Sequence, residues 1–312
     1  MNYEFSEIRF PSSDGINTVY GEIYTPIGNQ PIKAVVQIAH GMIDYVGRYK
    51  ALADYLARQG IAFAGNHHLG HGKSVKDDDD FGYFAKKDGV SLVLSDMYRM
   101  NKEIKERFPS APIILMGHSM GSFLARLYAV KYPHTLDGVI IHGSAGPNPA
   151  VPLGKAVART VKLFKGERHR SRFLKSLVLG AYNKKFPKSE GENAWLTREV
   201  SLVADRASDK YTSFDFTASA YLDLFDMLSK CNSKEWYKKY PKDMKTLIMS
   251  GDMDPVGNYG DGPKYVYKHL MIRGVTDLEL KLYEGARHEL FNELNRAEVF
   301  ADITTWLGGI FK

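Results

Sequence analysis

The pentapeptide Gly117-His118-Ser119-Met120-Gly121 sets a serine between two glycines, where the apolar run "PIILM" gives way to the amphipathic stretch "SFLARLYAVKY". A serine on a sharp strand-to-helix turn has its hydroxyl lifted clear of the sheet. It also stands at a helix N-terminus, where the Met120 N–H lacks an intrahelical partner and is free to hold a developing oxyanion. The chemistry that fits is nucleophilic attack on an acyl group. A serine can also be an ordinary N-cap on a tight turn, so the decision rests on whether the partners of a nucleophile follow.

A serine hydroxyl is a weak nucleophile until a base takes its proton, and the base needs a carboxylate to orient it. After the apolar run "TLIMS", the loop "GDMDPVG" offers Asp252 and Asp254; after "LELKLYE", the loop "GARHELFNE" offers His288. Both loops leave strands at the same end as the loop bearing Ser119. Asp254 is preferred because Pro255 holds the residue before it extended, with Asp252 as the alternative. None of the other nine histidines lies on a late strand-to-helix loop. A second oxyanion donor belongs on the loop after the first parallel strand. There "QIAHGMIDY" assigns it to the Met42 N–H, with Gly41 permitting the turn and His40 anchoring the loop by hydrogen bonds.

The elements that must position these groups are legible as periodicity. "YEFSEIRF" and "VYGEIYTP" alternate around the turn-rich "PSSDGIN" and read as an antiparallel pair. Then strands at 33–39, 61–65, 112–116 and 138–142 interleave with helices at 46–59, 90–107 and 120–131. That alternation predicts an α/β fold with a mostly parallel sheet covered by helices on both faces. It stops at 146. Residues 147–235 read as helices and loops, and the rhythm returns with "MKTLIMS", a helix over 263–273, "LELKLYE" and a last helix over about 291–310. The expected organisation is a core domain in two parts, 1–146 and 236–312, around a helical insertion at 147–235.

The net charge of +6 is unevenly placed: residues 151–190 hold eleven Lys or Arg against two Glu, so this window alone carries +9. It could meet phosphate groups or an anionic membrane face transiently. No spacing suggests nucleic-acid binding. His67, His68 and His71 crowd one loop and Asp77–Asp80 form an acidic run, but neither makes a metal-ligand set, so no metal and no cofactor are expected. The lone Cys231 cannot form an internal disulfide. No apolar run approaches the roughly 20 residues of a membrane span, and the N-terminus lacks a signal-peptide pattern; a cytoplasmic protein is expected.

With "GHSMG", "HGM", "LGHGKS", "GDMDPVG" and "ARHELFNE" in this order, the chain resembles, nearly end to end, the serine α/β-hydrolases of the monoacylglycerol lipase and lysophospholipase group. The resemblance implies an eight-stranded α/β-hydrolase sheet with an inserted cap, Ser119 as nucleophile, Asp254 as acid through its G-x-x-D loop, His288 as base, and Met42 and Met120 as oxyanion donors. The family's D-H-R-G-H-G is altered here to His67-His68-Leu69-Gly70-His71-Gly72, losing an acid and an arginine that support the loop. The implied activity is hydrolysis of lipid-like monoesters through an acyl-enzyme. Alternatives are a short-chain or aryl esterase, thioesterase or acyltransferase on the same residues, or a ligand-binding relative without turnover. Phe164, Phe173, Leu174 and Leu177 are candidates to line an acyl channel or to pack on the core.

Overall fold

A computed structural model of the chain describes residues 1–311, with Ala204, Asp205 and Ala207 described in the backbone alone. Strands β1 (Tyr3–Pro11) and β2 (Thr18–Pro26) pair antiparallel, as their alternation requires. β3 (Ala34–Ala39), β4 (Ile61–Asn66), β5 (Ile113–His118), β6 (Gly138–His142), β7 (Thr246–Gly251) and β8 (Leu278–Tyr283) complete one sheet in the order β1-β2-β4-β3-β5-β6-β7-β8. Every pairing from β4 to β8 is parallel.

β3 to β7 are buried along their whole length, because helices cover both faces and leave no solvent side to alternate toward. On one face, Ile114, Met116, Ile140 and Leu247 pack under α1 (Lys50–Arg58) and the C-terminal helix Arg296–Leu307. On the other, Ile113, Leu115, Val139 and Ile141 pack under α2 (Gly89–Arg107) and α3 (Met120–Lys131). The chain runs from β3 outward to β4 and then returns to the other side of β3 as β5. This reversal opens a crevice at the carboxyl ends of β3 and β5, where Ala39 pairs with Gly117.

Between β6 and β7 come α4 (Val151–Lys165), α5 (Arg172–Leu179), α6 (Val200–Ser208), α7 (Ala218–Cys231) and α8 (Lys234–Lys239). Ala218, Ala220, Tyr221 and Met227 of α7 are buried in the same cluster as α2 and α3, so this helix packs on the sheet's helical layer. Buried Arg126 of α3 ties it there, donating to Asn232 Oδ1 at 3.0 Å and to Ala145 O at 3.1 Å. α9 (Asp261–Arg273) and α10 (Arg296–Leu307) flank β8.

One expectation is corrected and one helix is added. The last helix starts at Arg296 rather than near 291, after a 3₁₀ turn at Leu290–Asn292. Glu293 between them is extended because its buried carboxylate accepts from Arg287 N–H at 2.8 Å and Arg198 Nε at 2.7 Å. Helix α8 was not anticipated; Ser233 caps it by accepting from Trp236 N–H at 3.1 Å.

Candidate active site

Ser119 has φ 55° and ψ −121°, a backbone conformation that an L-residue holds only when its surroundings impose it. The two glycines impose it. A Cβ on Gly121 would stand 1.9 Å from Ala39 O, and one on Gly117 would stand 2.3 Å from Gly121 O, so helix α3 can approach the sheet only with both side chains absent. The Ser119 N–H donates to His142 O at 3.0 Å, and the serine caps β5 at the crevice.

His288 and Asp254 meet as anticipated, both fully withdrawn from solvent, with Nδ1 2.9 Å from Oδ2. Asp254 Oδ1 is held in turn by the Val256 N–H at 2.9 Å. As the carboxylate accepts at Nδ1, the imidazole keeps its proton there and presents an unprotonated Nε2. The acid and histidine loops touch through backbone. The Met253 N–H donates to Ala286 O at 3.0 Å, and a Cβ on Gly251 would come within 2.0 Å of that oxygen.

Asp252, the alternative acid, does not face the imidazole. Its Oδ1 accepts the Gly285 N–H at 2.7 Å and braces the two loops against each other. Ser119 and His288 line one cavity of about 760 Å³ without a direct hydrogen bond between them, a bond that commonly tightens only when substrate is present.

His118 lies in the same group, its ring 4.8 Å from that of His288 and its Nδ1 3.0 Å from His142 Nδ1. Burial pushes both His118 and His142 down, His142 to about 3, so this pair stays neutral at ordinary pH.

The Met42 and Met120 N–H groups are free of protein partners among the described residues, and both residues line a cavity at Ser119. The Met42 loop is held open by histidines. His40 Nδ1–H donates to Gly41 O at 2.9 Å while its Nε2 accepts the His68 N–H at 3.0 Å. Ile43, at φ 54°, donates its N–H to His71 Nε2 at 3.3 Å, and His71 Nδ1–H donates to Leu69 O at 3.0 Å. Both rings accept at one nitrogen, which only neutral imidazole does, and burial keeps them so: His40 well down, His71 at about 4. Thus the histidine-rich loop reads as a buttress; among the described residues no group of three or more His, Cys, Asp or Glu is arranged to hold a metal.

The spacing of residues gave no sign of the ionic network behind the site. Arg48 donates to Asp44 Oδ1 at 3.0 Å and to Glu289 Oε2 at 2.8 Å; Arg206 donates to Glu289 Oε1 at 3.1 Å and to Ile43 O at 2.7 Å. Asp44 Oδ2 takes the Tyr49 hydroxyl at 2.6 Å and the Gly41 N–H at 3.2 Å. Burial works to raise the Glu289 carboxyl, but Arg48 and Arg206 outweigh it and hold it at about 2. The residue after His288 is thereby locked to the Met42 loop.

The insertion closes over these loops. The His288 and Glu289 N–H groups donate to Trp195 O at 3.4 Å and Leu196 O at 2.7 Å, and Arg287 Nη1 reaches Glu190 at 2.6 Å. A second cavity of about 570 Å³ adjoins Ser119, lined by Met120, Phe123, Val151, Leu177, Leu224 and Phe225 among others. Of the four apolar insertion residues singled out in the sequence, only Leu177 lines it. Leu174 is buried in the core, while Phe164 and Phe173 point outward, 77% and 63% exposed. An amphipathic helix with apolar residues on more than one face does not declare which face turns inward.

Residues 30–295 match the model of the Hydrolase_4 family, described as serine aminopeptidase, S33. Relatives include a monoglyceride lipase homolog of Monkeypox virus, 27% identical over 93% of this chain and 94% of that one. Another is the monoacylglycerol lipase of Mycolicibacterium smegmatis, 24% identical over 97% and 96%. Among solved structures, a thermostable carboxyl esterase of Bacillus coagulans superimposes with a TM-score of 0.91 at 28% identity, covering 99% of both chains. The eight-stranded sheet, the full-length likeness and the family match lead to one statement: this chain belongs to the serine aminopeptidase S33 (Hydrolase_4) family and is an α/β-fold serine hydrolase of the lipase and esterase kind.

Proposed function

We propose that the chain hydrolyses lipid-like carboxylic monoesters through an acyl-enzyme. In this reading Ser119 Oγ attacks the ester carbonyl as His288 Nε2 takes its proton, Asp254 holding the imidazole by the 2.9 Å contact at Nδ1. The Met42 and Met120 N–H groups receive the oxyanion. His288 then returns the proton to the departing alcohol, and water, activated by the same nitrogen, releases the acid. No cofactor takes part.

The observation that carries the substrate class is the pair of unlike cavities meeting at Ser119. The 570 Å³ cavity is walled by Met120, Phe123, Leu177, Leu224 and Phe225 and suits an acyl chain. The 760 Å³ cavity, with Asp44, Arg170, Arg206, Lys210 and Glu289, suits a hydroxylated or otherwise polar alcohol. A monoacylglycerol or lysophospholipid has this asymmetry. The likeness to a monoglyceride lipase homolog and to a monoacylglycerol lipase favours the same class.

Docking on an anionic lipid surface accompanies this reading. Leu163 and Phe164 at the end of α4 and Phe173 on α5 are exposed within the window that carries +9, the composition of an interfacial anchor. Assaying 1-monooleoylglycerol, a lysophosphatidylcholine and p-nitrophenyl acetate, with Ser119→Ala as control, tests the function. Long-chain monoesters should be turned over best and the control should be inactive. Turnover of acetyl esters alone would replace the reading by a short-chain or aryl esterase, transfer to an added alcohol in place of water by an acyltransferase, and a stoichiometric burst without turnover by a ligand-binding relative.

A further inference from the structure

We propose that Trp195 is the wall between the acyl and alcohol chambers and determines which esters the site accepts; this rests on the ester-hydrolase reading above. Four residues line both cavities: Met42, Ser119, Leu179 and Trp195. Met42 and Ser119 belong to the sheet edge that performs the chemistry. Leu179 and Trp195 come from the insertion, and Trp195 is the larger.

The neighbours of Trp195 sort by chamber. Tyr182, whose ring lies 4.9 Å from the indole, lines only the apolar cavity, whereas Asn193 and Leu196 line only the polar one. The indole also packs on the His288 imidazole, with centroids 5.1 Å apart and planes at 37°. An aromatic plate of this kind presents roughly 200 Å² of rigid surface.

The plate is fixed from both sides of its own peptide unit. The Trp195 N–H donates to Asn183 Oδ1 at 3.0 Å, and Trp195 O accepts the His288 N–H at 3.4 Å. Asn183 is itself tied to Gly191 O at 2.8 Å. The wall therefore keeps its place relative to the histidine instead of swinging with the helices of the insertion.

A monoester fits this arrangement, its chain on one side of the indole and its polar alcohol on the other. In a diester the alcohol half carries a second chain, which must turn back past Trp195 to reach apolar surface. The wall therefore selects against diesters through shape, independently of the acyl chain's fit.

The test uses the full chain with Trp195→Ala, Trp195→Phe and Leu179→Ala, and the ratio of kcat/KM for 1,2-dioleoylglycerol to that for 1-monooleoylglycerol in mixed micelles. Trp195→Ala should raise the ratio at least about tenfold, the scale on which pocket walls discriminate, Leu179→Ala should raise it less, and Trp195→Phe should keep it near the parent value. An unchanged ratio in both alanine variants, with Ser119 still labelled by a fluorophosphonate and melting still cooperative, would overturn the proposal. If Trp195→Ala does not fold, a ratio raised by Leu179→Ala upholds the wall and one left unmoved removes it. A parent protein that neither takes the fluorophosphonate nor turns over any ester would instead defeat the ester-hydrolase reading itself.

Discussion

Asp254 and Asp252 stand two positions apart on one loop and serve different partners: Asp254 Oδ2 meets His288 Nδ1 at 2.9 Å, while Asp252 Oδ1 takes the Gly285 N–H at 2.7 Å. The first orients a side chain and the second braces a turn.

Asp254→Asn should therefore lower kcat/KM for a monoester by about 10³–10⁴, the scale of a histidine held in the wrong tautomer. Asp252→Asn should lower it less than about tenfold, since a side-chain amide oxygen can still accept from Gly285. Steady-state kinetics on the two purified variants separate these roles; a larger loss in the Asp252 variant would reverse the assignment.

The loop carrying Met42 should lose its shape when His71 is removed, because Ile43 then has neither its hydrogen bond nor a reason to stay at φ 54°. His71→Ala is expected to reduce kcat by about tenfold to a hundredfold, approaching the loss of one oxyanion donor, with KM nearly unchanged. A raised KM at constant kcat would place His71 in substrate binding instead.

Glu289 links acid stability to the site. Its folded carboxyl lies at about 2, below the ordinary 4.5, so its contribution is full above 4.5 and is lost as pH falls toward 2. Glu289→Gln takes the carboxylate partner from the Arg206 guanidinium and leaves Arg48 with Asp44 alone, and should cost about 3–5 kcal/mol at neutral pH. Urea midpoints measured from pH 7 to 3 should show the gap between parent and variant narrowing only below 4.5; a gap constant over that range would refute the linkage.

Replacing Leu163, Phe164 and Phe173 together by serine should weaken binding to vesicles rich in anionic lipid and leave p-nitrophenyl acetate turnover as in the parent, because these side chains lie outside both cavities. Raised salt should weaken the parent's binding as well. Co-sedimentation reads both effects, and equal binding by parent and variant would remove the insertion from any role at a membrane.

The parts legible in the sequence were those whose cause is local. Helix Met120–Lys131 and strand Gly138–His142 lie where periodicity put them, and the glycines around Ser119 announced a bend that no other residue could occupy. Proline at 255 favoured Asp254 over Asp252 for a backbone reason, and it is the Asp254 side chain that meets His288. Chain order and loop position brought forward Ser119, His288, Met42 and Met120, and narrowed the acid to Asp252 or Asp254.

Tertiary structure alone decided what depends on partners far along the chain. Arg48 and Glu289 are separated by 241 residues and Tyr45 and Asp209 by 164, distances over which no periodicity speaks. Trp195 acquired its place from the histidine loop and from Asn183, and Leu177 lines the cavity while Phe173 on the same helix is exposed. Backbone preference and hydrophobic period act within a few residues of themselves; the closing of two chambers over one serine is set by packing between elements, which a linear pattern does not encode.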